Sequence, residues 1–322
     1  MSPLDQRRFL FVTGKGGTGK TTVTAALALA LAARGRRVLI AVTEPKERIG
    51  ALLGVPPLTA DIVLVRPNIW AVKIDPEVAM REYGEMILRS RTVSSALFDN
   101  RTVRGFFAAV PGLHQWAMLG KAWYHSTELG ADGRARFDCV LFDAPATGHG
   151  LDMLRVPKVI VDVVPPGVLR RDAERAWATF RDERTSGVVI VSLPEDMPAT
   201  ESTELADALR SELGLPIAAV VANQVVEPLF TRAEQDLLQR PRTLLADDAG
   251  DRVVDVATRR ATLERAQAES LDKLTRGVRA PVVQLPRLLG DAGLPESVEA
   301  LARILGAALG AALGAVGGGA RP

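Results

Sequence analysis

The sequence is short of the features that mark secreted, membrane-spanning and nucleic-acid-binding proteins. Its 322 residues include one cysteine, Cys139, which excludes an internal disulfide. There is no leader with a basic start, an apolar run and a small-residue cleavage site, so the expected location is the cytoplasm. Charge of one sign is missing too: the net charge is +2 and no basic block stands out, so no nucleic-acid partner is expected. The one long uncharged run, Ile304 to Ala320, is mostly glycine and alanine. It falls short of the ~20 strongly apolar residues of a membrane span. It reads as the end of a helix that continues from "SVEALARIL" and frays into a Gly/Ala-rich tail, residues 306–322.

What is present is a core. Hydrophobic residues make up 47% of the chain, and short β-branched runs recur: "FLFVT" (9–13), "RVLIAV" (37–42), "IWAVKI" (69–74), "CVLFDA" (139–144), "VVIVSL" (188–193), "AAVVAN" (218–223) and "PVVQL" (281–285). Most are separated by segments of helical periodicity. They therefore read as parallel strands buried on both faces, an α/β fold with a doubly wound, mostly parallel sheet. The first crossover, "KTTVTAALALALAARG", is a helix of strong formers that stops at Gly35. Residues 77–130 hold no strand signal and carry Met, Phe and Trp at mixed helical spacings, so they form a helical insertion subdomain. Its apolar members (Met80, Met86, Leu88, Phe106, Phe107, Trp116, Met118 and Trp123) serve either as the floor of a groove or as the subdomain's own core. Residues 231–276 read as a solvated amphipathic helical pair. No internal repeat occurs, so residues 1–322 form a single nucleotide-binding domain.

Between the first strand and the first helix lies "GKGGTGKTT", which satisfies G-x-x-x-x-G-K-[ST] at Gly14, Gly19, Lys20 and Thr21. In such a loop the glycines turn backbone N–H groups onto phosphate oxygens. The helix N-terminus adds its dipole, Lys20 neutralises the β and γ phosphates, and Thr21 ligates Mg²⁺. The residues expected around ATP are thus Gly14, Gly16, Gly17, Thr18, Gly19, Lys20, Thr21 and Thr22. Further on, "LFDAPATGHG" puts Asp143 at the end of a buried strand, where it holds Mg²⁺ through water. The amide of Gly148 is placed to sense the γ-phosphate.

The second lysine, Lys15, makes "GKGGTGKT" the deviant form of this loop. It resembles that of the dimerising ATPases that include ArsA, the nitrogenase iron protein and the MinD/ParA proteins. The resemblance implies a SIMIBI-type P-loop fold and a Lys15 that reaches a nucleotide on a facing copy; otherwise Lys15 is a solvated loop lysine. The "DAPATGH" segment (143–149), "VPGLHQWAMLGK" (110–121), "LPEDMPATESTELADAL" (193–209) and "VVANQVVEP" (220–228) narrow this. Over about residues 8–305 the chain resembles the ArsA family, which includes the guided-entry ATPase that delivers tail-anchored membrane proteins. The family implies Mg-ATP hydrolysis, an adenine contact at Asn223, and a homodimer or a heterodimer with a related ATPase. It also implies capture and release of a client, here a hydrophobic protein segment, so that contact with a membrane is indirect.

Three departures qualify the resemblance. The first switch reads Glu44-Pro45-Lys46 where the family carries D-P-A-H. Either Glu44 positions the attacking water with one extra methylene, or hydrolysis is slow or completed by a partner. One cysteine supplies neither the several thiolates that arsenite needs nor the C-x-x-C pair of a shared zinc. A low-activity regulatory subunit of a two-chain ATPase is therefore one alternative. A MinD/ParA-like surface-organising ATPase is the other, but it requires an amphipathic or basic element that the Gly/Ala-rich tail does not supply. His149 is assigned to packing or a turn hydrogen bond, His114 and His125 to ordinary helix positions, and Cys139 to a buried inert thiol.

Overall fold

The computed structural model describes residues 4–43, 47–88, 112–145, 149–239, 248–288 and 293–317. Among them, eight strands form one sheet: β1 (Phe9–Thr13), β2 (Val38–Val42), β3 (Val63–Arg66), β4 (Ile69–Lys73), β5 (Cys139–Asp143), β6 (Ser186–Ser192), β7 (Ile217–Val225) and β8 (Val282–Pro286). Their order is β3-β4-β2-β5-β1-β6-β7-β8, and only β3 runs antiparallel to its neighbour. The seven strands expected from apolar runs are all present and mutually parallel. The eighth, β3, is an edge strand of four residues whose Leu64 is 61% exposed, so it lacks the apolar run that reveals the others.

Among the described residues, ten α-helices flank this sheet: α1 (Lys20–Ala32), α2 (Ile49–Leu52), α3 (Pro76–Leu88), α4 (Leu113–Thr127), α5 (His149–Val163), α6 (Val168–Arg181), α7 (Asp196–Ser211), α8 (Arg232–Leu238), α9 (Asp248–Val278) and α10 (Pro295–Gly317). Strand side chains alternate between the two faces, as period two requires. Leu10, Val12, Ile40 and Leu141 pack with α1, α2 and α10 in an aliphatic layer. Phe9, Phe11 and Phe142 point the other way, joining α3 to α7 and the end of α9. There Phe11 stacks on Phe142 at 5.1 Å and Phe9 meets Phe180 at 5.0 Å between ring centroids.

The first crossover forms as its composition dictates. Helix α1 is buried along Val23–Leu31, because Ala, Leu and Val surround it where a surface helix would carry charge. Gly35 closes it in the left-handed conformation, its N–H on the Ala32 carbonyl at 2.9 Å.

In the helical insertion, α3 and α4 bracket residues 89–111, which lie outside the described residues together with Phe106 and Phe107. Met80 and Trp116 belong to the buried core, and Met118 and Trp123 pack partly buried against it. All four belong to the cluster that also holds the aromatic face of the sheet, and Trp116 and Trp123 line a cavity as well. Helices α8 and α9 form the amphipathic pair expected at 231–276. Helix α10 carries the terminal apolar run as far as Gly317, and no helix among the described residues is long and apolar enough to cross a membrane.

Candidate functional site

The phosphate loop occupies the carboxyl ends of the central strands, where β1 delivers Gly14 and β5 delivers Asp143. Two glycines are required by geometry. Gly14 has φ +151°, and a Cβ there would lie 2.1 Å from the Val191 carbonyl oxygen of β6. Gly19 has φ +89°, and its Cβ would lie 2.4 Å from Asn223 Nδ2. Any side chain at either position would push the loop off its supports. Between them, Gly16 and Gly17 are exposed and nothing lies within 4 Å of the place a Cβ would take on Gly17, so the mouth of the loop is open backbone. Gly19 caps α1 without any side-chain hydrogen bond, so the N–H groups of the first turn, with half-buried Thr21 and Thr22, have no capping side chain.

The polar side chains close inward on this loop. Buried Lys20 donates from Nζ to the Lys15 carbonyl at 3.2 Å, and the Thr18 hydroxyl donates to the same oxygen at 3.0 Å. Asn223 Nδ2 donates to the Thr18 carbonyl at 2.9 Å. The residue assigned to adenine from the resemblance thus also braces the loop from beneath. It is followed by Gln224 at φ +60°, a left-handed position rare for a side chain with a Cβ, where the pairing of β7 with β8 shifts register.

Asp143 is 1% exposed, and its Oδ1 accepts from the Thr24 hydroxyl at 3.2 Å. Thr24 also donates to the Lys20 carbonyl one turn earlier on α1, at 2.9 Å, so one hydroxyl links the phosphate loop helix to β5. The Thr43 hydroxyl at the end of β2 donates to the Asp143 backbone carbonyl at 3.2 Å. The sequence reading missed Thr24 and Thr43. The spacing of Thr24, one helical turn after Lys20 and therefore on the same face, was the available signal.

Lys15 is held within its own chain. Its Nζ lies 2.6 Å from Glu201 Oε1 of α7, with both side chains roughly one-third exposed. Glu201 was also missed, although its segment was among those that carry the resemblance. Glu44 and Gly148 fall outside the described residues. His149 begins α5, and Cys139 lies fully buried in β5, where desolvation pushes its thiol up to about 12.

A cavity of about 760 Å³ opens away from the loop between α3, α4 and α6. Its walls include Tyr83, Trp116, Trp123 and Tyr124, with the Lys121–Glu82 pair at 2.7 Å and the Tyr83 hydroxyl on Asp172 at 3.2 Å. No group of three or more metal-ligating side chains occurs among the described residues.

Comparison with known proteins places this loop among relatives. Residues 7–165 match the family described as Anion-transporting ATPase. The ATPase BagA of Mycobacterium tuberculosis is 32% identical over 228 residues, 69% of this chain and 66% of that protein. A putative arsenical pump-driving ATPase of Halobacterium salinarum is 27% identical over 300 residues, 88% of this chain and 42% of that protein. The arsenical pump-driving ATPase of Escherichia coli is 28% identical over 180 residues, 56% and 27% respectively. The chain thus spans 66% of the length of the mycobacterial relative and less than half of the two arsenical ones.

Proposed function

Since this chain belongs to the ArsA family of ATPases, we propose that it binds Mg-ATP at residues 14–22 and hydrolyses it as a nucleotide-gated dimer. The observation that carries the reading is the Lys20 ammonium folded across a glycine loop onto the Lys15 carbonyl, at the head of an uncapped helix. A phosphate competes well for that ammonium, because a charge-assisted bond to an anion is stronger than one to a neutral carbonyl. Lys20 then moves outward onto phosphate oxygens, and the backbone of Gly16, Gly17, Thr18 and Gly19 turns its N–H groups to them. Thr21 and Asp143 are the residues that would hold Mg²⁺, and the donor set fits, a hydroxyl and a buried carboxylate being hard oxygen ligands. Bound there, the ion would neutralise charge on the transferring phosphoryl group. Thr24 keeps Asp143 aimed at the loop, and Asn223, given to adenine by the resemblance, keeps the loop in shape.

Lys15 completes the site in trans, on the nucleotide of the facing copy, as an arginine finger does. Glu44 positions the attacking water, and Gly148 reports the γ-phosphate to α5, the helix that follows the second switch. Arsenite as a substrate finds no support in the donor set, since the one thiol is buried and protonated. Closure on ATP reshapes the helical insertion and couples hydrolysis to capture and release of a hydrophobic protein segment. A second reading, a regulatory subunit completed by a related chain, is favoured by the Glu44-Pro45-Lys46 departure alone.

The test is phosphate release by the purified chain. Mg-dependent turnover that Glu44→Gln and Lys20→Ala each abolish supports the first reading. Tight ATP binding without turnover supports the second. Failure to bind ATP at all sinks both. Crosslinking of an apolar helical peptide that does not respond to ATP removes the client from the proposal and leaves the ATPase standing.

A further inference from the structure

Lys15 and Glu201 are separated by 186 positions in the chain, yet both ride on the carboxyl end of β6. On one side, Gly14 packs against the Val191 carbonyl so closely that no side chain fits between them. On the other, Ser192 accepts from the hydroxyl of Ser202, the neighbour of Glu201, at 2.9 Å and donates to the Pro198 carbonyl at 3.1 Å. Lys273 of α9 adds a bond to Asp196 at 2.8 Å and another to Thr200, fixing the first turns of α7. The residue before Lys15 and the first turns of α7 that carry Glu201 are therefore both anchored on β6. Only the side chains remain to be ordered, which lowers the entropic cost of the pair.

We infer that Glu201 is a positioning residue that holds Lys15 in cis and releases it to the nucleotide of a second copy. The inference rests on the reading of Lys15 as a lysine that acts in trans. Both partners are about one-third exposed, so water weakens the pair and an incoming molecule reaches it. A single carboxylate in that setting competes poorly with a polyphosphate bearing several negative charges. In the absence of such a competitor it keeps the ammonium off open solvent and against α7. The two lysines are also released in sequence. Lys20 bonds to the carbonyl of Lys15 itself, so nucleotide entering its own site first removes a backbone restraint on Lys15. The arrival of a second nucleotide-loaded copy then draws the side chain away from Glu201. Dimerisation without nucleotide would leave Lys15 with its intramolecular partner and no gain from crossing, which makes the association nucleotide-dependent.

Five chains test this: wild type, Glu201→Gln, Glu201→Asp, Lys15→Ala and the Glu201→Gln/Lys15→Ala double variant, each measured for molar mass with a non-hydrolysable Mg-ATP analogue and for ATP turnover across protein concentrations. Glu201→Gln keeps size and shape and removes the charge that competes for Lys15. Expected is about fivefold tighter nucleotide-dependent dimerisation, with turnover at low protein concentration raised in step, the scale of a partly exposed ion pair. The Glu201→Gln effect should vanish in the Lys15→Ala background, and Glu201→Asp, which shortens the carboxylate arm, should fall between wild type and Glu201→Gln. A merely structural Glu201 would change the two backgrounds alike and would show itself as a lowered melting temperature. Dimerisation and turnover unchanged in Glu201→Gln, or changed equally with and without Lys15, would overturn the inference. If Lys15→Ala loses turnover while Glu201→Gln behaves as wild type, the trans lysine stands and the hold by Glu201 falls. If Lys15→Ala turns over ATP as wild type does, both fall.

Discussion

The phosphate loop and the lateral cavity are both lined by charged and polar groups, but they use them differently. Around the loop, side chains rest on backbone carbonyls, Lys20 and Thr18 on nearby Lys15 and distant Asn223 on Thr18, beside the Lys15–Glu201 ion pair. Around the cavity, side chains pair with side chains: Lys121 with Glu82, Tyr83 with Asp172, Glu128 with both His125 and Arg136. A lysine on a neutral carbonyl exchanges for a phosphate at little cost, whereas a paired lysine, Lys15 on Glu201 as much as Lys121 on Glu82, must first give up an opposite charge. The loop thus differs from the cavity wall in having a lysine with a neutral backbone oxygen among its partners, one that an anion can replace.

The contrast is broken most directly by exchanging the effects expected at the two places. Lys20→Ala should lower ATP turnover by about a thousandfold or more, the scale of a charge aimed at a transferring phosphoryl group, and leave the urea midpoint nearly unchanged. Trp116→Ala should do the reverse. It removes a ring that is 1% exposed, so about 3–5 kcal/mol of stability is expected to go in chemical denaturation, while the turnover of the molecules still folded is kept. Loss of turnover in stable Trp116→Ala would make the cavity part of the active site. Tyr83→Phe sharpens the picture at lower amplitude, with about 1 kcal/mol expected for a half-buried hydroxyl bond to Asp172 and no change in turnover.

The smallest effect is one of pH. Burial holds the His125 imidazole below its ordinary range, against the opposing hydrogen bond to Glu128. Below about pH 6.5 the unfolded chain therefore takes up a proton that the folded chain refuses, and stability falls as the pH falls. Burial acts upward on Glu128, but its bonds from His125 and Arg136 prevail and hold the carboxyl below its usual range. It contributes stability above the unfolded value, about 4.3, which is lost as pH falls through the lower folded value. Urea midpoints between pH 8 and pH 5 should be flat and then decline, and His125→Asn should remove the first part of the decline. A midpoint that rises on acidification to pH 5 contradicts the buried neutral imidazole.

The legible parts of the molecule were those governed by local rules. Seven strands announced themselves because parallel strands buried on both faces must be continuously apolar. The loop announced itself because Gly14 and Gly19 hold backbone conformations and contacts that no other residue tolerates. Edge strand β3 did not, since exposed Val63 and Leu64 on a four-residue strand carry no pattern. Glu201 and Thr43 stayed hidden for another reason: each meets its partner only through the sheet order, which brings β6 beside β1 and β5 beside β2. Asn223 was found by resemblance, but its bond to Thr18 spans 205 positions and follows from the register of β7, which no spacing reveals.

The proposed mechanism requires two lysines of one loop to serve two different nucleotides. Mixing Lys15→Ala chains with Lys20→Ala chains tests this, each variant being inactive alone. In a mixed dimer the site that keeps its own Lys20 receives Lys15 from the other chain. Equal amounts should therefore recover about a quarter of wild-type phosphate release, because half the dimers are mixed and one of their two sites is complete. A mixture as inactive as its components would contradict the account, and so would a Lys15→Ala chain that is already active by itself.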